Sequence, residues 1–536
     1  MHGASVQISR DIPGEPRCRI PAEPAGVRRA CWWILILTFA VYLIPSPIGP
    51  GQFVVTKSMA ASWNDQARIA TVESLAERGT MAIDHSKWGW HTGDKVLLRE
   101  HWYSTKPPLL SAVGAVSYMV GRYLVRLVTG HELAYVDNEN LIYPYVTLTT
   151  SVLAFALLLV YFYRALHLVP LSRTARWWLF WALAIGSLYP SYSSVFNNHS
   201  VAGAGVFIGF YYVLKYRLGG RVGWWEALWA GIAVGFAGMN DITGALPFVV
   251  LFFVLIVLRD LPLAGLWPAR VRQGGYASIA LALAAAIAAA ASVWIGPRGT
   301  AVLLFAPTLV ALAVAVALAA KRRPITLLFL IGVLLTLVAH LFLNSRVTGN
   351  WLPTYIQSDV YIAVPPGYFG EVLAPEEASA LYWARWKYVG TALFGVRGVF
   401  LYTPALLIGL AAAFAAAFNR SHPLRLEAAS LVLAVLAGWG WVLFFASPNF
   451  GGTSFGYRYA LAASPLLIFF CYMVFDDRKE RRVISIVFRN AVAWGTVVGL
   501  IAIPYPWGIF GQLPPTQCSI VESLGYMALN ALASIT

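Results

Sequence analysis

Apolar residues recur in blocks of about 20 along almost the whole chain, each bounded by a short polar stretch. A helix rises about 1.5 Å per residue, so such a block matches the roughly 30 Å hydrocarbon core of a bilayer. The pattern predicts membrane helices at about 31–48, 143–163, 175–195, 198–216, 224–239, 242–258, 275–295, 299–320, 324–343, 396–417, 427–446, 457–475 and 489–507. A further block at 108–129 is long enough to cross, but Arg122 and Arg126 interrupt its second half, which suits an amphipathic helix in the interface.

Charge decides the threading. With 108–129 in the interface and the N-terminus inside, the inner segments hold 24 of the 39 basic residues and nine acids, leaving +15 inside and 0 outside. If 108–129 crossed, the clusters Lys321–Arg323 and Arg478–Arg482 would face outward, against the positive-inside rule. The expected fold class is therefore an all-α polytopic membrane protein of about 13 transmembrane helices, N-in and C-out. Residues 1–30 read as a cytoplasmic tail without a cleavable signal pattern, and 31–343 as a transmembrane module with a first extracytoplasmic loop at 49–142. A second large extracytoplasmic loop follows at 344–395, then helices within 396–507 and an extracytoplasmic tail at 508–536. Both large loops carry juxtamembrane helices in this reading.

Composition narrows the class. Residues of the AVILMFWYC set make up 59% of the 536-residue chain and charged residues 12%, against roughly 45–50% apolar and 25% charged in a soluble domain. A soluble enzyme is excluded. The net charge of +15 is the cytoplasmic Lys/Arg excess, so no nucleic-acid partner is expected. Cys18, Cys31, Cys471 and Cys518 show no paired spacing, so neither a disulfide framework nor a CxxC metal site is suggested. The Ala-rich run at 280–291 suits close helix packing in lipid.

The candidate chemistry gathers on the outer face. Trp63 to Gly79 reads as a short amphipathic helix carrying Asp65, Arg68 and Glu73 and ending at a Gly cap. Asp65 suits a general base toward an acceptor hydroxyl or amine; its other reading is a helix cap paired with Arg68. Asp84 and Tyr103 lie in the wet stretch that follows. Lys106 directly precedes Pro107-Pro108, so a stiff backbone places its ammonium, a point charge suited to a lipid phosphate; its other reading is a snorkelling interfacial lysine beside an aromatic belt. Asn198-His199 and Asp241 fall at the outer ends of helical hairpins, where they are either turn residues or functional groups. Arg397 and Arg458, the latter after the Gly-rich stretch 451–456, are outer cations and candidate anion clamps. No Walker A, GxGxxG, HExxH or Cys/His metal spacing occurs.

Asp65 with its loop helix, the Glu77-Arg78-Gly79 turn, Tyr103-x-x-Lys106-Pro107-Pro108 and Gly451-Gly452-x-Ser454-Phe455-Gly456-x-Arg458-Tyr459 together resemble the GT-C superfamily. Within it the chain is similar to the protein O-mannosyltransferase and lipid A aminoarabinose transferase branch. The resemblance covers roughly 30–260, with a second anchor at 390–475. It implies a GT-C-like architecture and transfer of a sugar from a polyprenyl-phosphate donor to a protein, lipid or glycan acceptor on the outer face, usually with inversion. It also implies a bacterial cytoplasmic (inner) membrane location and membrane lipids as partners. Asp65 would match the catalytic first-loop acid, while Lys106 and Arg458 would hold the donor phosphate. Arg68, Asp84, Tyr103, Asn198, His199, Asp241 and Arg397 remain substrate-binding candidates. Where the family often has Asp-Glu, this chain has Asp65-Gln66, and where an Asp is common it has Asn198-His199. Those departures leave the acceptor class open; no cofactor is called for, and a divalent cation stays open. Trp351, Tyr355, Trp383 and Trp386 suit an acceptor-facing lid. The competing readings are a transporter or flippase of lipid-linked sugars, for which repeat halves and midplane sites would be expected, and a lipid-linked glycan polymerase or ligase.

Overall fold

The computed structural model describes residues 8–9, 17–18, 24–45, 55–56, 59–60, 62–260, 324–349, 375–395, 398–444, 455–475 and 482–503. The predicted helices at 275–295 and 299–320, the tail at 508–536 and Arg397 lie outside them. Among the described residues the protein is helical, apart from two short antiparallel pairs, β1–β2 (Ile8–Ser9, Arg17–Cys18) and β3–β4 (Lys95–Leu98, His101–Ser104). Six helices there are long and apolar enough to cross a membrane: Pro108–Thr129, Tyr135–Ala165, Ile242–Arg259, Pro324–Thr348, Arg425–Phe444 and Arg482–Ala502.

The first helix, α1 (Ala25–Tyr42), starts earlier than the hydropathy predicts and stops before Pro45. In the first loop α2 (Trp63–Arg78) begins with a capping box, in which Ser62 and Asp65 satisfy each other's backbone N–H, and ends at Gly79 in the left-handed region. The short α3 (Lys87–His91) leads into the β3–β4 hairpin, whose two turn residues, Arg99 and Glu100, both have positive φ, as a tight two-residue hairpin turn demands. A Cβ at Gly349, just beyond the helix Pro324–Thr348, would run into the Arg99 guanidinium, so the hairpin tip stands against the end of that helix.

Next comes α4 (Pro108–Thr129), opened by Pro108 in its first turn and closed by Gly130. It lies along α2: Gly114 meets Val72, Tyr118 hydrogen-bonds Glu77, and Arg122 donates to the Ala76 carbonyl at 3.1 Å. The predicted span at 143–163 is longer in the structure. There α5 (Tyr135–Thr147) runs through a π-helical turn, Leu148–Val152, into α6 (Leu153–Ala165). Such a turn marks strain in the hydrogen-bond ladder, and its Ser151 hydroxyl accepts from the Asn197 N–H.

The span expected at 175–195 is broken. There α7 (Arg173–Ala184) has only 12 residues, and after a break the chain restarts as α8 (Tyr189–Ser193). The break is a close approach: a Cβ at Gly495 would collide with the Gly186 carbonyl, so the break docks against the helix that carries Gly495. By contrast α9 (Asn198–Arg217) is buried continuously from Asn198 to Leu214, as a core helix is. Then α10 (Trp224–Asn240) and α11 (Ile242–Asp260) form a hairpin hinged at Asp241.

Beside α10 runs α12 (Pro324–Thr348), seated by glycines on both helices: a Cβ at Gly231 would meet the Phe329 carbonyl, and one at Gly332 the Leu228 carbonyl. α13 (Pro375–Phe394) follows. The expected span at 396–417 is divided at Thr403-Pro404 into α14 (Val399–Tyr402) and α15 (Ala405–Phe418). α16 (Arg425–Phe444) packs on α11 and α15. Where 457–475 was expected to span, a 3-10 turn (Arg458–Ala460) leads to the short buried α17 (Ser464–Phe470). The last described helix is α18 (Arg482–Ala502).

Candidate functional site

Five segments converge where α9 begins and α10 ends: the start of α2, the loop from β3–β4 to Lys106, the start of α9, the end of α10, and the 3-10 turn at Arg458. Asp65 sits at the third position of α2 and is fully buried. Its Oδ1 accepts from the Ser62 N–H and hydroxyl, both at 2.7 Å, and its Oδ2 accepts from the Tyr143 hydroxyl at 3.0 Å. Tyr143 in turn accepts from the Phe196 N–H, tying α2 to the start of α9. The helix expected as amphipathic is thus buried at its polar end, and Asp65 acts there as a cap.

One turn further, the buried Arg68 donates Nε to Asn64 Oδ1 at 3.2 Å and Nη1 to the Pro107 carbonyl at 3.3 Å. Burial pulls its pKa from 12.5 down to about 9, opposed by the attraction of Asp94, Asp241 and Asp65 and aided by repulsion from Arg458. The guanidinium stays cationic at neutral pH.

Lys106 is paired with Asp94 at 2.8 Å. Backbone contacts hold the two together, because the Thr105 N–H and hydroxyl both reach the Asp94 carbonyl. Burial lowers the Lys106 pKa against the raising effect of Asp94, and Arg458 and Arg68 depress it further. Asp94 was missed in the sequence, where Thr92-Gly93-Asp94 reads as an ordinary turn.

His199 and Asp241 form a buried pair, with His199 Nδ1 2.8 Å from Asp241 Oδ2. Asp241 Oδ1 accepts from the Gly244 N–H at 3.0 Å, at the start of α11. Asn198 donates Nδ2 to the Asn240 carbonyl, and Asn240 Oδ1 accepts from the Leu110 N–H, so these asparagines tie α9 and α10 to the first turn of α4. The imidazole stands edge-on to Tyr459, next to Arg458. Two buried polar atoms beside it, Asn197 Nδ2 and Asn198 Oδ1, have no hydrogen-bond partner. A buried polar atom left unsatisfied costs about 1–3 kcal/mol.

The structure therefore brings Asp65, Arg68, Lys106, Asn198, His199, Asp241 and Arg458 together. Asp84 is not among them: it accepts from the Trp102 N–H and pairs with His101 at 3.1 Å, bracing the hairpin. Tyr103 pairs through its backbone with Val96 and Ala82. Among the suggested lid aromatics, Trp386 stacks edge-on against Phe444; Trp351 and Tyr355 lie outside the described residues. Among the described residues no group of three His, Cys, Asp or Glu converges as a cation site. Asp65, Asp94 and Asp241 are committed to Ser62 and Tyr143, to Lys106, and to His199.

Fold and site thus define a helical membrane protein with a buried cluster of charged and amide side chains at one end of its bundle. No family model matches the chain, and no curated protein matches its sequence. Among solved structures, the archaeal oligosaccharyltransferase AglB from Archaeoglobus fulgidus, in complex with an inhibitory peptide and a dolichol-phosphate, superposes with a TM-score of 0.41 at 14% identity. The match covers 90% of this chain and 56% of AglB, so the chain spans little more than half of that protein's length.

Proposed function

We propose that the protein is an integral membrane glycosyltransferase that takes a sugar from a polyprenyl-phosphate donor and passes it to an acceptor on the extracytoplasmic face, with inversion. The observation that carries this reading is the convergence of Arg68, Lys106 and Arg458 beside the His199–Asp241 pair. Three cations in a desolvated site suit a phosphate, and an imidazole oriented by a carboxylate suits a general base.

In the proposed step an acceptor hydroxyl oxygen attacks the anomeric carbon. The bond from that carbon to the phosphate oxygen breaks, and the lipid phosphate leaves with the electron pair. Arg68, Lys106 and Arg458 stabilise the charge that grows on it, the largest kind of catalytic contribution in a site closed to water. The acceptor proton passes to His199 Nε2, which is left as acceptor when Nδ1–H is donated to Asp241. Asp65, whose oxygens already accept from Ser62 and Tyr143, sets the start of α2 and so places Arg68.

The test is sugar transfer in membranes supplied with a radiolabelled polyprenyl-phosphate sugar, comparing wild type with His199→Gln and Arg458→Ala at matched protein level. Donor consumption that both variants abolish supports the reading. Donor moved across the bilayer intact, with both variants as active as wild type, points to a flippase instead.

A further inference from the structure

Arg122 and Arg126 belong to neither the core nor the site above. They lie one turn apart near the end of α4, and both reach Glu132: Arg126 Nη1 is 3.1 Å from Oε1 and Arg122 Nη2 is 3.6 Å from Oε2. Arg122 is anchored by its bond to the Ala76 carbonyl, and its guanidinium lies over the Tyr118 ring. Arg126 is two-thirds exposed. Together with Met119, Tyr123, Glu132 and Leu133 they line a cavity of about 200 Å³. A water occupies roughly 30 Å³ of liquid volume, so the space admits a group several times larger than water. Two guanidinium groups against one carboxylate leave an excess positive charge there.

The surface beside the cavity is apolar. Val116, Val120, Tyr123, Leu124, Leu127 and Val128 are exposed at helical spacing along α4, with Val128 83% exposed. An exposed stripe of that kind on an apolar helix is solvated by acyl chains.

We propose that this cavity binds one anionic phospholipid, its phosphate oxygens held by the Arg122 and Arg126 fork and its acyl chains laid along the α4 stripe. The planar guanidinium suits phosphate geometry better than a lysine does. Such a lipid would anchor the α2–α4 pair, and through it Arg68, to the leaflet. This inference stands apart from the transferase reading, since neither arginine belongs to that site.

The experiment uses the full chain, purified in detergent and stripped of lipid, with bound lipid per chain counted by native mass spectrometry. The added probes are phosphatidylglycerol, phosphatidylcholine or inorganic phosphate. Wild type is expected to retain about one phosphatidylglycerol and to discriminate against phosphatidylcholine. Arg126→Gln, at an exposed position, should weaken phosphatidylglycerol about tenfold, the loss of one charge-assisted contact, while leaving the unfolding midpoint of the lipid-free protein unchanged. Arg29→Gln, at an exposed basic position on α1, should leave lipid binding as in wild type. Equal retention by Arg126→Gln, equal binding of phosphatidylcholine, or full displacement by inorganic phosphate at matched concentration would each overturn the proposal.

Discussion

Replacing Asp94 by Asn makes the sharpest test of whether a phosphate sits at Lys106. The carboxylate lies 2.8 Å from the ammonium, and both side chains are largely buried. At an effective dielectric of about 20, unit charges at that separation attract by roughly 6 kcal/mol, most of which offsets the cost of taking both out of water. Removing one partner of a buried pair costs about 3–5 kcal/mol because the other charge is stranded. Lys106 keeps 17% of its side-chain surface in contact with solvent, so the lower end, about 3 kcal/mol, is expected. A typical stability of about 5–15 kcal/mol leaves the variant folded. The same stranded ammonium is then free for a phosphate. The assay is thermal unfolding of detergent-solubilised protein with and without polyprenyl phosphate, where ligand at 100 times its Kd adds about 2.7 kcal/mol. Asp94→Asn should unfold earlier than wild type without ligand and gain more stability with it, whereas Lys106→Ala should gain less. If wild type and both variants gain the same stabilisation, the phosphate does not sit at Lys106 and the assignment fails.

Other expectations are as direct. His199→Gln and Asp241→Asn should each lower turnover by about 10²–10⁴-fold, the usual worth of a positioned general base, with polyprenyl phosphate affinity retained; near-wild-type turnover in both would remove the base from this pair. Asp65→Asn should cost about 1 kcal/mol of stability through the weakened cap, measured by thermal unfolding, and an inactive variant of undiminished stability would return the base role to Asp65. Lys106 acts as a cation and burial lowers its pKa below the ordinary 10.5, so kcat/KM should fall as pH rises through that lowered value. In Asp94→Asn this basic limb should move lower still, and a limb unmoved by the substitution would detach it from Lys106. Gly231→Val, which drives a side chain into the Phe329 carbonyl, should destabilise the α10–α12 contact by about 1–3 kcal/mol, read as faster proteolysis and a lower unfolding midpoint.

Much of this architecture was written in local patterns. The cap at Asp65, the Gly79 stop and the stiff Lys106-Pro107-Pro108 entry to α4 are each set by a few neighbouring residues, and each occurs in the structure where the sequence places it. The breaks were only partly legible. Gly186-Ser187 and Pro190-Ser191 interrupt the apolar run at 175–195, but the packing of that break, with Gly186 meeting Gly495, joins positions over 300 apart. The burial of α2 was hidden for a related reason. Its polar residues imitate a water-facing surface, but Asn64, Asp65 and Arg68 find partners on the chain itself, including Tyr143 and Pro107.

Asp94 shows why the site was only partly readable. An Asp after Gly satisfies every requirement of a turn, and only the closure of the β3–β4 hairpin, with Thr105 bonded to the Asp94 carbonyl, delivers it to Lys106. The juxtaposition also fixes what the acid does on the proposed reading. Removing the acid lowers the pH at which this lysine loses its charge, and below that pH the freed ammonium is open to a phosphate. Asp94 keeps the ammonium protonated and aimed before the donor arrives, then competes with the donor once it does. Stability and donor affinity are therefore set against each other at a single carboxylate, so a substitution that weakens the fold there should tighten the phosphate, an inversion that a purely structural ion pair would not produce.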